Sequence, residues 1–243
     1  MRRLSARRSA RVEDSAFIIE GATLIAEAIS ANWRIESQFL APGGIRVFGT
    51  ESDVYQLAEG VMERVATTTT PQPVIAIAER RVAALASLPS DGWIVVADRV
   101  SDPGNLGTIL RSAEAAGAYA VVLTNDTVEA FNPKVVRSSA GALFHVPVVE
   151  GVQLGDVRSA GYRLVGTSSH DQPGTIDYTT ADLSGRVAIV VGNESRGMSS
   201  DVEVDQWVTI PHAGRGESLN VAMAATLVCF EVAKQRVGNR LGE

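Results

Sequence analysis

The sequence predicts an α/β protein of two unequal domains, the larger one C-terminal and built on a parallel sheet. Three observations carry this. Apolar stretches at 93–97, 120–123, 163–166, 187–191 and 207–210 are separated by segments with helical periodicity, and unbroken apolar strands alternating with helices mark a parallel sheet covered on both faces. The segment Thr67-Thr68-Thr69-Thr70-Pro71-Gln72-Pro73 interrupts any helix, and 79–91 reads as a linker carrying a short helix. With 243 residues, 45% of them hydrophobic, the chain is long enough for two domains with separate cores. The expected boundaries are 1–78 for the smaller domain, 79–91 for the linker and 92–243 for the larger domain.

The elements follow in order. Arg2, Arg3, Arg7, Arg8 and Arg11 precede the first acid, Glu13, and form either a solvated tail or a basic patch for an anionic partner. Phe17-Ile18-Ile19 is a short apolar entry. Leu24, Ile25, Ala28 and Ile29 recur at helical spacing, and 35–40 reads as a strand. Val54, Leu57, Ala58, Val61 and Met62 have the spacing of a second helix. Val74-Ile75-Ala76-Ile77-Ala78 is an apolar strand. In the larger domain the final helix, from Ser218 to about Gln235, is the longest and most apolar.

Bulk properties exclude several classes of function. The net charge of −6 argues against non-specific coating of nucleic acid, though a partner responds to a local patch rather than to the total. The single cysteine, Cys229, leaves no internal disulfide. It lies in an apolar helical run and reads as a core residue. His145, His170 and His212 are far apart and give no metal-ligand spacing. No apolar stretch approaches the roughly 18 residues of a membrane span. The run after the early arginines is broken by Glu13, Asp14 and Glu20, which argues against an export signal and for a cytoplasmic protein.

Three separated segments carry chemistry. Asp102-Pro103-Gly104-Asn105 makes a tight turn into a helix, with Asn105 as its expected cap. Arg111 lies six residues on, nearly two turns along that helix, where its planar, permanently charged fork can hold a phosphate. In the second segment, a buried strand runs into Gly192-Asn193-Glu194-Ser195-Arg196-Gly197. Gly192 allows close approach of a ligand to the backbone, and Gly197 permits a left-handed turn. Glu194 either organises this loop or orients a substrate. The pattern is not the G-x-G-x-x-G of dinucleotide-binding proteins, so a nucleotide-dependent oxidoreductase is improbable. In the third, Ile210 ends a strand, a glycine-containing loop follows, and Glu217-Ser218-Leu219-Asn220 opens the last helix. Ser218 is the expected cap, and Asn220 needs a partner for its amide.

In this order and at these separations the three segments resemble the signature motifs of the SpoU family of RNA ribose methyltransferases, a branch of the SPOUT class. The resemblance spans roughly 93–236 and includes Asn132-Pro133-Lys134-Val135-Val136-Arg137-Ser138-Ser139-Ala140-Gly141-Ala142. It implies a C-terminal SPOUT domain whose chain forms a deep trefoil knot, a feature nearly absent from other folds. The cofactor implied is S-adenosylmethionine, lined by Thr167, Gly192, Ile210 and Leu219. Arg111, Asn105, Glu194, Ser218 and Asn220 are the catalytic set that it implies. More loosely, Phe17-Ile18-Ile19-Glu20-Gly21, the Leu24-to-Ile29 helix and Thr70-Pro71-Gln72 resemble the L30e-like RNA-binding domain often attached to these enzymes. One departure is Val221-Ala222-Met223-Ala224, where relatives often carry Val-Ser-Val-Ala.

The expected reaction moves a methyl group from a sulfonium to a ribose 2′-oxygen of RNA, with ribosomal RNA favoured over transfer RNA and 23S rRNA as the expected target. Arg7, Arg8 and Arg11 are the candidate RNA contacts. The family also implies a homodimer, and the histidine and cysteine spacing leaves no metal expected. Two rivals remain: a SPOUT enzyme that methylates a base nitrogen, and a non-catalytic RNA-binding ribosome-assembly factor.

Overall fold

The computed structural model describes residues 1–168, 173–193, 198, 203–214 and 218–241. The chain forms two compact units, one of residues 1–81 with 129–145 and the other of 82–128 with 146–243. The division falls inside the expected linker. The stretch 129–145, which sequence position assigns to the larger domain, belongs instead to the smaller unit.

The smaller unit runs through α1 (Arg2–Ala6), α2 (Arg8–Glu13), β1 (Ala16–Glu20), α3 (Ala22–Ser30), β2 (Ile35–Leu40), β3 (Asp53–Gln56), α4 (Met62–Val65) and β4 (Val74–Glu79). Its sheet has the order β1-β4-β2-β3, with β4 antiparallel to both neighbours and β3 parallel to β2. β1 is buried along its whole length. One reason is an aromatic cluster in which Phe17 packs on Trp33 and Phe131 at centroid distances of 5.7 and 4.9 Å, and Trp33 packs edge-on against Phe144. Phe131 and Phe144 come from the returning stretch 129–145, so that stretch supplies part of this unit's core.

Two expectations fail in this unit. The helix expected from Val54 to Met62 is absent: Asp53–Gln56 pairs as an edge strand with Ser37–Leu40, and Tyr55 stacks on Phe39 at 5.2 Å. Gly60, at φ +75, then turns the chain before the short α4. The N-terminal arginines are not a solvated tail either. Arg2, Arg3, Arg8 and Arg11 lie on α1 and α2, with Arg7 joining the two helices, and Leu4 and Ala10 of these helices join a core with Ile18, Met62 and Ile75. Arg11 is only 3% exposed, paired with the equally buried Glu129 and donating to the Leu4 carbonyl.

The larger unit contains β5 (Ile94–Ala97), α5 (Pro103–Ala115) and β6 (Val121–Thr124). The chain then lends α6 (Pro133–Ser138) to the smaller unit. It returns as β7 (Val148–Val152), α7 (Leu154–Ser159), β8 (Arg163–Thr167), β9 (Ile176–Asp177), β10 (Val187–Val191), β11 (Gln206–Thr209) and α8 (Val221–Leu241). Among the described residues the strands form a seven-stranded sheet of order β7-β6-β5-β10-β8-β11-β9, parallel at every pairing. β5, β6 and β10 are buried throughout, as unbroken apolar runs require. On one face Ile94, Val96, Val122, Leu164 and Val190 share a core with Val157 and Tyr162. The flanking strands β7 and β9 were not expected. β7 carries the polar pair Glu150-Gly151 in its middle, and β9 has two residues, so neither has a strand's sequence pattern. Cys229 is a core residue of α8, and burial pushes its thiol up to about 12. Among the described residues no helix is long and apolar enough to cross a membrane.

Candidate active site

β10, β8 and β11 are neighbours in the sheet, so their C-terminal ends bring three expected cofactor residues side by side. Thr167 is the last residue of β8, Gly192 follows β10 and Ile210 follows β11. Open parallel sheets bind ligands outside such carboxyl ends. Thr167 donates its hydroxyl to the Val190 carbonyl at 3.3 Å, which ties β8 to β10. On β8, Gly166 is demanded by packing: a Cβ there would lie 2.8 Å from the Trp207 ring.

Two helices complete the arrangement. Asp102, rather than Asn105, caps α5 by accepting the Asn105 N–H at 2.9 Å, with Pro103 at the first helical position. Asn105 accepts, through Oδ1, the side-chain amide of Asn220 at 3.0 Å. Asn220 is itself the cap of α8, because its Oδ1 accepts the Ala222 and Met223 N–H groups at 2.9 and 3.3 Å. Ser218, the expected cap, lies two residues upstream and is exposed. The two helices also join through Ser112 Oγ and Thr226 Oγ1, 2.6 Å apart. Thus the first and third segments are held together by one asparagine pair, each member oriented by a helix start. Arg111 lies beside Ser112 on α5. Its side chain is exposed and makes no ion pair or hydrogen bond among the described residues. Glu194, Gly197 and the stretch 215–217 lie outside the described residues.

Comparison with known proteins decides the family. The model of the SpoU rRNA methylase family matches residues 92–230, more than half of the chain. The chain belongs to the SpoU family. A second model, the MRM3-like substrate binding domain, matches residues 1–76. Over 230 residues the chain is 34% identical to the 23S rRNA (guanosine(2553)-2′-O)-methyltransferase RlmP of Bacillus subtilis, covering 91% of this chain and 90% of that one. Over 255 residues it is 31% identical to the 23S rRNA (uridine(2479)-2′-O)-methyltransferase of Streptomyces viridochromogenes, covering 96% and 88%. Among solved structures, the SpoU methyltransferase AviRb of Streptomyces viridochromogenes in complex with AdoMet superposes with a TM-score of 0.86 at 29% identity, covering 97% of this chain and 96% of that one.

This SpoU protein also contains a polar cluster that sequence reasoning missed. Asp98, buried at the end of β5, accepts the Thr124 hydroxyl at 3.1 Å and pairs with Arg99 Nε at 3.3 Å. Arg99 adopts a left-handed backbone, φ +55, a conformation that costs a non-glycine residue free energy. It is held there from both sides: its N–H donates to Thr124 Oγ1 at 3.0 Å, and its carbonyl accepts Asn193 Nδ2 at 2.9 Å. The second segment is thereby fastened to the loop before α5. No local pattern signals this cluster. The Asp102 cap, in contrast, had a local signal, an aspartate directly before proline, although the cap was expected at Asn105.

The strand-end residues suit an adenosyl group. Gly192 presents backbone without a side chain, Ile210 and Leu219 are partly exposed and aliphatic, and none of the four cofactor candidates carries charge. Such a set recognises a ligand through backbone polar groups and apolar contact, and it lacks the cations that a polyphosphate requires. Among the described residues no group of three His, Cys, Asp or Glu side chains could hold a metal ion.

Proposed function

We propose that this protein transfers the methyl group of S-adenosylmethionine to a ribose 2′-hydroxyl of 23S ribosomal RNA in the cytoplasm. The observation that carries the reading is the Asn105–Asn220 bond at the start of the helix that carries Arg111, whose exposed side chain pairs with nothing among the described residues, in a chain of the SpoU family whose relatives named above are 23S rRNA 2′-O-methyltransferases. The bound cofactor supplies an electrophilic methyl on a sulfonium. Thr167, Gly192 and Ile210 at the strand ends, with Leu219 just before α8, would hold it.

The chain's own residues perform the rest. A ribose hydroxyl is a weak nucleophile, so it must be held in line and its developing negative charge stabilised. Arg111 does this as a cationic fork on the phosphate or the forming oxyanion. It does not act as the base, because a guanidinium keeps its protons at cellular pH. The proton leaves to a neighbouring group, a phosphate or water. Asn105 and Asn220 position the ribose or Arg111, and Ser218 and Glu194 shape the flanking loops. The smaller unit binds the RNA, with Arg7 and Arg8 as phosphate contacts. Arg11 has no part in this, since its charge is buried against Glu129.

The strand order is consistent with the knot that the family implies: β11 lies between β8 and β9, both of which precede it in the chain. A homodimer is supported by α8, where Met223, Leu227, Phe230 and Val237 are exposed at spacings that fall along one side of the helix. The deciding measurement is transfer of labelled methyl from S-adenosylmethionine to separated RNA pools, followed by nucleoside analysis. Label is expected in 2′-O-methylribose of 23S rRNA. Label on a base nitrogen overturns the mechanism, and sedimentation as a monomer overturns the dimer.

A further inference from the structure

The loop between β2 and β3, residues 41–52, presents an organised aromatic–cationic pair. Gln38, 1% exposed, fixes it: its Nε2 donates to the Val47 carbonyl at 2.9 Å and to Ser52 Oγ at 3.0 Å, while its Oε1 accepts the Val47 N–H at 2.8 Å. Both backbone groups of Val47 are thus held by one buried amide, and its neighbours Arg46 and Phe48 are exposed. Phe48 is 68% exposed, and the Arg46 guanidinium sits 4.5 Å from its ring centroid. The pair therefore presents ring surface that contributes little to folding and is already ordered for a planar partner.

The charge of the loop narrows the choice of partner. Glu51 and Asp53 are exposed close by in sequence, so this surface is not a basic track for a duplex backbone. Stacking, with one cation, is the chemistry that it offers, and single-stranded nucleic acid is bound by such aromatic and arginine faces. Resting on the reading of the smaller unit as the RNA-binding unit, we propose that Arg46 and Phe48 form a platform that stacks an unpaired base of the RNA substrate.

The test uses the full chain with a fluorescent single-stranded RNA of about twelve nucleotides and the same sequence annealed as a duplex. Phe48→Ala is expected to weaken single-strand binding about tenfold, Phe48→Tyr to restore it, and neither to alter duplex binding. Phe48→Trp adds a direct readout, because its emission should be quenched by the single strand and not by the duplex. The side chain is exposed, so unchanged melting of all three variants is expected. If Phe48→Ala binds the single strand as tightly as the parent, the platform is overturned while RNA binding stands. If the parent binds no RNA, both the platform and the RNA-binding role of the smaller unit fall. A shift in sedimentation of Phe48→Ala without loss of RNA affinity would identify a self-association surface and overturn the platform.

Discussion

The helices α1 and α2, with the residue that joins them, carry Arg2, Arg3, Arg7, Arg8 and Arg11, whereas α5 carries Arg111 alone, yet the denser region is the one whose charge is more fully engaged. Arg3 pairs with Glu13 at 3.0 Å, and Arg8 and Arg11 both face Glu129. Arg111 pairs with nothing among the described residues. A cluster of arginines in sequence attracts attention as a nucleic-acid patch, but a guanidinium buried against a carboxylate is folding machinery. An isolated, exposed and uncommitted one keeps its electrostatic capacity for a ligand. The difference teaches that engagement, and not density, is what singles out Arg111 as the proposed functional cation.

The comparison is broken most severely at Arg11. Replacing it with alanine leaves the Glu129 carboxylate buried without its cation, which costs about 3–5 kcal/mol. Denaturant unfolding should show that loss, while methyl transfer per folded molecule stays near the parent value. A loss below about 1 kcal/mol would mean that this pair behaves as a surface pair. Arg111→Ala is expected to do the reverse. Methyl transfer should fall about 10²–10³-fold, the range for removing one group that stabilises developing charge, with stability unchanged within about 0.5 kcal/mol. Arg111→Lys separates fork from charge: if bidentate geometry matters, it recovers little activity.

The same contrast explains what was legible in the sequence. The apolar runs that became β5, β6, β8, β10 and β11 could be read because burial on both faces leaves a local record. The three segments together also pointed to the family that the comparison shows. The fate of Arg11 was not legible, since it depends on Glu129, which returns from far along the chain. β3 was misread because Val54, Leu57, Ala58, Val61 and Met62 mimic helical spacing, and only pairing with β2 decides otherwise. The helix caps were off by a few residues because Ser218 and Asn220, or Asp102 and Asn105, are chemically equivalent candidates. Selection between them rests on which backbone N–H groups each side chain meets.

Asn220 stands between the two extremes, since it caps α8 and also binds Asn105. Asn220→Ala should lower stability by about 1 kcal/mol through the lost cap and also lower methyl transfer. Asn220→Asp keeps an acceptor for the helix but cannot donate to Asn105 Oδ1. It should preserve stability and still lose activity, a split that a purely structural role would not produce. Ser218→Ala, at a position that does not cap the helix, should leave the melting temperature unchanged.

The smallest expected effect sharpens the contrast within the arginine-rich region itself. Arg7 lies between α1 and α2 and is exposed, with no ion pair among the described residues, so it differs from Arg11 four residues later in the same way that Arg111 does. If it contacts a phosphate, Arg7→Ala should weaken RNA binding by a few-fold, uniformly across sequences, and reduce the slope of log affinity against log salt by about one. Stability should not move. Binding titrations across a salt series measure both quantities, with Arg11→Met as the internal control, whose salt slope should match the parent because its charge never faces the solvent. An unchanged slope for Arg7→Ala would remove the N-terminal helices from the RNA interface and leave their arginines a role in folding alone.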